Sequence, residues 1–301
     1  MHVEARATPA VAINPSRLRK LALASAASLY VIVVSGATVR LTGSGLGCEG
    51  WPGCTPGAVF PEKDYHSFVE FGNRLVSIFP IVLSLAAAVA SLFVREVARW
   101  AKATAWFAAI GTLAQAPLGL ITIRLDLDPV AVLSHFLLAM LVLAAAIVFL
   151  VEARRVERGA ATPSFSRPVR LAALLFAALA LALVITGTVV TAAGPHAGDP
   201  DVVDRLWRLD DAIWLHVRVT AAFGIALLAV VWYLRRTALR GVALVVLGLV
   251  LVQMLVGEVQ WRTSLPWWLV LVHVGLAAAI WSSTVWLVTL LWRPAVSPGR
   301  A

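Results

Sequence analysis

Eight uninterrupted apolar stretches, at about residues 21–41, 66–94, 103–123, 130–151, 169–191, 212–234, 241–261 and 266–291, dominate this 301-residue chain. Each is long enough to cross a hydrocarbon core, which takes roughly 20 residues of helix. Backbone in lipid must satisfy its own hydrogen bonds, so helix is the form such runs take. The expected fold is an all-α integral membrane protein of eight transmembrane helices. With 60% hydrophobic and only 14% charged residues, the composition lies outside the soluble range.

The net charge of +9 could point to nucleic acid, but its distribution excludes that reading. Basic residues cluster on the side of the termini, from Arg17, Arg19 and Lys20 through Arg95, Arg99, Lys102, Arg154, Arg155 and Arg158 to Arg235, Arg236 and Arg293. The opposite side holds most of the acids, from Glu49 and Glu62 through Asp199, Asp201 and Asp204 to Glu258. The positive-inside rule then makes both termini cytoplasmic in a multi-pass cell-membrane protein. The first apolar run follows basic residues but continues at full spanning length, so it reads as a retained helix rather than a cleaved signal. Cys48 and Cys54, the only cysteines, fall in the first external loop, where a disulfide is expected as a staple or as a redox pair.

The second half of the chain repeats the first. One offset of 138 residues places Gln115 over Gln253, Gly119 over Gly257, Arg124 over Arg262 and His135 over His273. Polar residues are costly in membrane helices, so this register is not fortuitous. Ser35-Gly36-Ala37-Thr38-Val39 likewise matches Thr186-Gly187-Thr188-Val189-Val190, while Arg74 meets Arg218 only if Asn73 and His216 are allowed a one-residue slip. The domain reading is a tail at 1–20, a four-helix bundle at 21–151, a linker at 152–168, a second bundle at 169–292 and a tail at 293–301.

Histidine is scarce, and His135, His216 and His273 each lie near the start of an even-numbered span, at one expected depth near the external face. Neutral imidazoles on facing helices suit iron, and His216 and His273 fit the two faces of a haem. Ordinary core hydrogen bonding is the competing explanation. Zinc is disfavoured because no cysteine or carboxylate cluster accompanies these residues. Arg40, Arg74, Arg124, Arg218 and Arg262 could pair with haem propionates through the guanidinium fork, or snorkel to lipid headgroups. Trp207, Trp214, Trp261, Trp267 and Trp268 read as an interfacial belt. Glu70 is a carboxylate entering a membrane helix; either it pairs with Arg74 one turn later or it handles charge in a reaction. Glu258 is a weaker parallel, since the repeat sets Leu120 against it.

Three segments, Gly36-Ala37-Thr38-Val39-Arg40-Leu41-Thr42-Gly43-Ser44-Gly45-Leu46-Gly47-Cys48, Trp51-Pro52-Gly53-Cys54 and Glu70-Phe71-Gly72-Asn73-Arg74, together resemble the heme A synthase family. The resemblance extends to the Gly194-Pro195-His196-Ala197-Gly198-Asp199 loop and the late histidines. It implies oxidation of a haem O methyl group to a formyl group, with oxygen from water, for haem-copper oxidase biogenesis. It also implies a resident haem b on His216 and His273, with Arg218 and Arg262 as propionate contacts. The substrate haem O would lie in the N-terminal half on His135, with Asn73, Arg74, Arg40 and Arg124 around it and Glu70 as the essential carboxylate. An anion there would stabilise positive charge developing at the methyl carbon or take a proton from attacking water.

Where many relatives carry a second histidine this chain has Asn73, a poor iron ligand, so His135 is expected to hold the substrate alone. His66 lies two turns away, about 10 Å along the helix. The implied partners are the lipid bilayer, an electron acceptor that the sequence does not name, and a haem O synthase (protohaem farnesyltransferase) as supplier. Two other functions fit parts of the pattern: a b-type cytochrome passing electrons from quinol, and a haem-free transporter built from parallel repeats.

Overall fold

The computed structural model describes residues 13–55, 57, 59–61, 64–159 and 165–292. Residues 1–12 of the first expected tail, all of the second at 293–301, Glu62, Lys63 and the centre of the expected linker lie outside the described residues. Among those described, nine helices form and no strand: α1 (Pro15–Leu41), α2 (Tyr65–Val76), α3 (Ile78–Leu92), α4 (Arg99–Arg124), α5 (Pro129–Arg158), α6 (Arg167–Ala193), α7 (Leu209–Leu234), α8 (Arg240–Arg262) and α9 (Trp267–Trp292). Since α2 and α3 make one continuous span, Tyr65–Leu92, the helices long and apolar enough to cross a membrane number eight. The protein is a multi-pass membrane protein.

Helix ends follow local chemistry. Asn14 caps α1 by accepting from the Ser16 N–H at 2.8 Å, and Pro15 occupies the first turn, where its missing N–H costs nothing. Asp128 and Pro129 open α5 the same way, the carboxylate accepting from Val130 and Ala131 at 3.0 and 2.9 Å. Helices also run past the apolar windows: α1 begins within the expected tail, and α5 continues to Arg158, inside the expected linker. These polar turns are held by ion pairs, Arg19 to Glu157 at 2.6 Å and Arg155 to the fully buried Glu152 at 2.8 Å.

The second span differs from expectation in being broken at Ser77. Pro80 has no N–H for the Val76 carbonyl, and the Ser77 hydroxyl bonds back to the Arg74 carbonyl at 2.6 Å. The apolar run is continuous there, so hydropathy carries no sign of the break.

Packing closes each set of four spans into a ring. In the first, α1 packs on α3 and α5, and α4 on both; in the second, α6 packs on α7 and α9, and α8 on both. The sets meet where α9 packs on α1 and α5, and α5 on α6. Across that seam the Trp281 indole N–H donates to the Met140 carbonyl at 2.8 Å and the Tyr30 hydroxyl to the Gly275 carbonyl at 3.0 Å.

The turns between α4 and α5 and between α8 and α9 share an unusual backbone. Asp126 and Leu127 have φ of 48° and 59°, and Ser264 and Leu265, 138 positions on, have 62° and 57°. Leu127 and Leu265 donate their N–H groups to the matching carbonyls of Thr122 and Gln260, at 2.9 and 2.7 Å. Paired left-handed residues without glycine are strained, yet both halves reverse direction this way, eight residues before His135 and His273.

Candidate active site

Three histidines are seated against glycine. A Cβ added to Gly119 would lie 3.4 Å from His135 Cε1, one on Gly257 3.4 Å from His273 Cε1, and one on Gly187 3.1 Å from His216 Cε1. The missing side chains let each imidazole lie against the neighbouring helix. Gln115 and Gln253 donate to the carbonyls of His135 and His273, at 3.3 and 3.0 Å. The register read from the sequence is thus matched by repeated contacts.

At His216 the Thr186 hydroxyl engages Nδ1. The Thr186 hydroxyl donates to the Ala182 carbonyl at 2.9 Å, so towards His216 Nδ1, at 3.0 Å, it acts as acceptor. That arrangement would place the ring proton on Nδ1 and leave the lone pair on Nε2, the state in which imidazole binds a metal. Nδ1 of His135 and of His273 is buried without a partner. His216 and His273 stand on α7 and α9, opposite members of one ring, each packed on α6 and α8. This donor set, two imidazoles held on opposing helices of one ring, would suit a haem iron.

The first ring keeps half of that arrangement. Asn73 shares a cleft with Ser35, Thr38 and Gly72 between α1 and α2. The Asn73 side-chain oxygen is buried without a hydrogen-bond partner. Nothing lies within 4 Å of a Cβ built on Gly36, the residue that matches Gly187. An imidazole fills this place in the second ring; asparagine is too short to do so.

Glu70, 4% exposed, sits beneath the loop after α1. One carboxylate oxygen accepts from the Cys48 backbone N–H at 2.8 Å and the other from Arg74 at 2.5 Å. Arg74 also donates to the carbonyls of Gly50 and Gly53, at 2.7 and 2.6 Å. The loop itself is closed by the Cys48–Cys54 disulfide, both sulfurs lying near the Ser67 carbonyl. It crosses α2 so closely that a Cβ on Gly47 would lie 2.6 Å from the His66 carbonyl carbon, a place for glycine alone.

The sequence pattern of the cytochrome oxidase assembly protein family, COX15-CtaA, matches residues 19–285. The chain belongs to this family. Among curated relatives it is similar to proteins named heme A synthase: 43% identical over 70 residues to one from Symbiobacterium thermophilum, covering 23% of this chain and 22% of that protein. Another, from Bacillus licheniformis, is 37% identical over 73 residues, or 24% of each chain. A third, from Bacillus pumilus, is 38% identical over 73 residues, again 24% of each. The aligned segments therefore span about a quarter of the length of these relatives.

In this family member the arginines expected near propionates have varied surroundings. Arg40 donates to the Thr191 carbonyl, joining α1 to α6. Arg74 is committed to Glu70 and the disulfide loop. Arg218 lies over the Trp214 ring at 3.1 Å. Arg262 pairs with Glu258 at 2.5 Å, both well exposed, so Glu258 differs from the enclosed Glu70. Arg124 is exposed at the end of α4. His66 bonds Ser44 at 3.0 Å and His196 the Leu265 carbonyl at 2.8 Å, which makes both loop fasteners. Trp207, Trp214, Trp261, Trp267 and Trp268 are all exposed on the surface.

Sequence reasoning placed Gly119 and Gly257 in register but missed what they do. The signal was available: in each half a glycine precedes the histidine by sixteen residues.

Proposed function

We propose that this protein is a heme A synthase, oxidising the methyl group of haem O to a formyl group with oxygen from water. The observation that carries the reading is the glycine-seated histidine, present as a complete pair in the second ring and as His135 alone in the first. The names of the curated relatives support it. The two rings act as duplicated bundles, with cytoplasmic termini and with the histidines towards the extracytoplasmic face. His216 and His273 hold a resident haem b, which supplies one-electron transfer when bound. His135 holds haem O as substrate, delivered by a haem O synthase, and the electrons leave to a separate acceptor.

Within this reading the chain's own residues divide the work. Glu70 is held in place by the Cys48 N–H and Arg74. Both of its oxygens are engaged, which suits a fixed negative charge near a methyl carbon losing electrons better than a free proton acceptor. Arg74 and the disulfide hold that carboxylate in register with the loop. Arg40, Arg124, Arg218 and Arg262 remain candidates for the haem carboxylates.

A second reading, a b-type cytochrome that only carries electrons, draws support from the same contacts, because the ion pair with Arg74 and the bond to Cys48 give Glu70 a structural reason to exist. Haem extraction from cells making haem O separates the two. The synthase reading expects haem A to accumulate, and Glu70→Gln to cut its output by about 100-fold or more while haem b stays bound. Unchanged output in that variant overturns the role given to Glu70, and absence of haem A with the wild-type protein overturns the synthase reading. His216→Ala and His273→Ala are each expected to lose haem b.

A further inference from the structure

The cleft between α1 and α2 carries more than a missing histidine. In the second ring Thr186 and Gly187 on α6 are satisfied by one imidazole, the hydroxyl bonded to Nδ1 at 3.0 Å and the glycine against Cε1. The matching Ser35 and Gly36 on α1 have kept their small size, and Gly36 opens onto free space. Asn73 and Ser35 line the same cleft, of about 470 Å³. The Asn73 oxygen is a buried acceptor without a donor. The Ser35 hydroxyl makes no hydrogen bond among the described residues, although its neighbour Thr38 bonds back to the Val34 carbonyl at 3.0 Å.

A buried amide oxygen without a partner is costly, and a hydroxyl beside it adds a second group able to bind a small polar molecule. The rest of the cleft is largely apolar, lined by Tyr30, Val31, Val34, Phe68 and Val69, so these two groups would orient a small ligand there. Substituting asparagine for histidine while keeping the glycine opposite turns a place built for an imidazole side chain into a place for a diffusible one.

We infer that Ser35 and Asn73 form a binding site for a small neutral hydrogen-bonding ligand, from water to imidazole in size, over the face of the substrate haem that His135 leaves free. This rests on the reading that His135 holds haem O in the first ring. It makes the two haem positions of this chain chemically unequal: the second is closed by two side chains, the first open to exchange.

The test is an imidazole titration of the purified, haem-loaded protein, followed by optical and electron paramagnetic resonance spectra. Wild type is expected to show one low-spin haem that ignores imidazole and one high-spin haem that saturably converts to low spin. Asn73→His should be low-spin throughout and insensitive to imidazole. Ser35→Leu should keep the high-spin haem but bind imidazole at least about tenfold more weakly, because the larger side chain fills the cleft that Ser35 lines. His135→Ala should lose the responsive haem while retaining the low-spin one, which also reports folding in every variant. A first-ring haem that depends on His135 yet is low-spin and indifferent to imidazole in the wild type overturns the inference and leaves the substrate reading standing. Unchanged haem content and spectra in His135→Ala overturn the substrate reading itself.

Discussion

At Gly187 the distance from a built Cβ to His216 Cε1 is 3.1 Å, tighter than the 3.4 Å at Gly119 and Gly257. A branched side chain there cannot be accommodated without moving the imidazole, whose Nδ1 is also tied to Thr186. Gly187→Val is therefore expected to weaken retention of the haem b proposed for the second ring by about 10–100-fold, the range seen when groups that orient a metal ligand are lost. Spectral titration with haem measures it. Thr186→Val should shift the haem spectrum with a smaller loss, since it frees the ring proton without displacing the ring. A retained wild-type spectrum in both variants would remove the glycine-seat argument.

Among the elements, α2 depends most on its ends. Its N-cap, Asp64, accepts from the backbone N–H groups of His66 and Ser67 at 3.0 and 3.1 Å. The Ser67 N–H, followed by that of His66, holds the Asp64 carboxyl below its ordinary value of 3.8. A group depressed on folding contributes stability that is fully present above its unfolded pKa and lost as pH falls through the folded value. The cap is thus intact at neutral pH and fails only below about 3.8. Asp64→Ala should speed amide exchange at His66 and Ser67 at pH 7, and the difference from wild type should vanish in strong acid. Because α2 ends at Ser77 after only three turns, an uncapped first turn would also loosen Glu70 and the loop it anchors. The break at Ser77 comes from Pro80, a single residue inside a run whose hydropathy is uniform.

At the scale of the whole molecule, the seam between the rings is closed by few polar contacts. Trp281 is the most buried of them, its N–H on the Met140 carbonyl at 2.8 Å. Trp281→Phe leaves that carbonyl short of a donor and should cost about 1–2 kcal/mol, within the range for hydrogen bonds between membrane helices; Tyr30→Phe, less enclosed, should cost about 0.6 kcal/mol. Unfolding in mixed detergent measures both, and equal stability of wild type and the double variant would place the seam's strength in apolar packing alone. The number of spans, their places and the 138-residue register were legible in the sequence, because transfer into lipid is a property of composition and a duplicated polar residue keeps its spacing. His135, His216 and His273 could be picked out for the same reason: in an apolar run each polar residue stands alone and is conspicuous. What the chain order could not carry was partnership. Whether Arg74 reaches a haem or a loop carbonyl, whether Gly36 faces an imidazole or open space, and where a uniform apolar run breaks depend on which helix comes alongside and at what distance. Those were decided only when the rings closed, since hydrogen bonds and steric exclusion act over a few ångströms between residues that the sequence sets far apart.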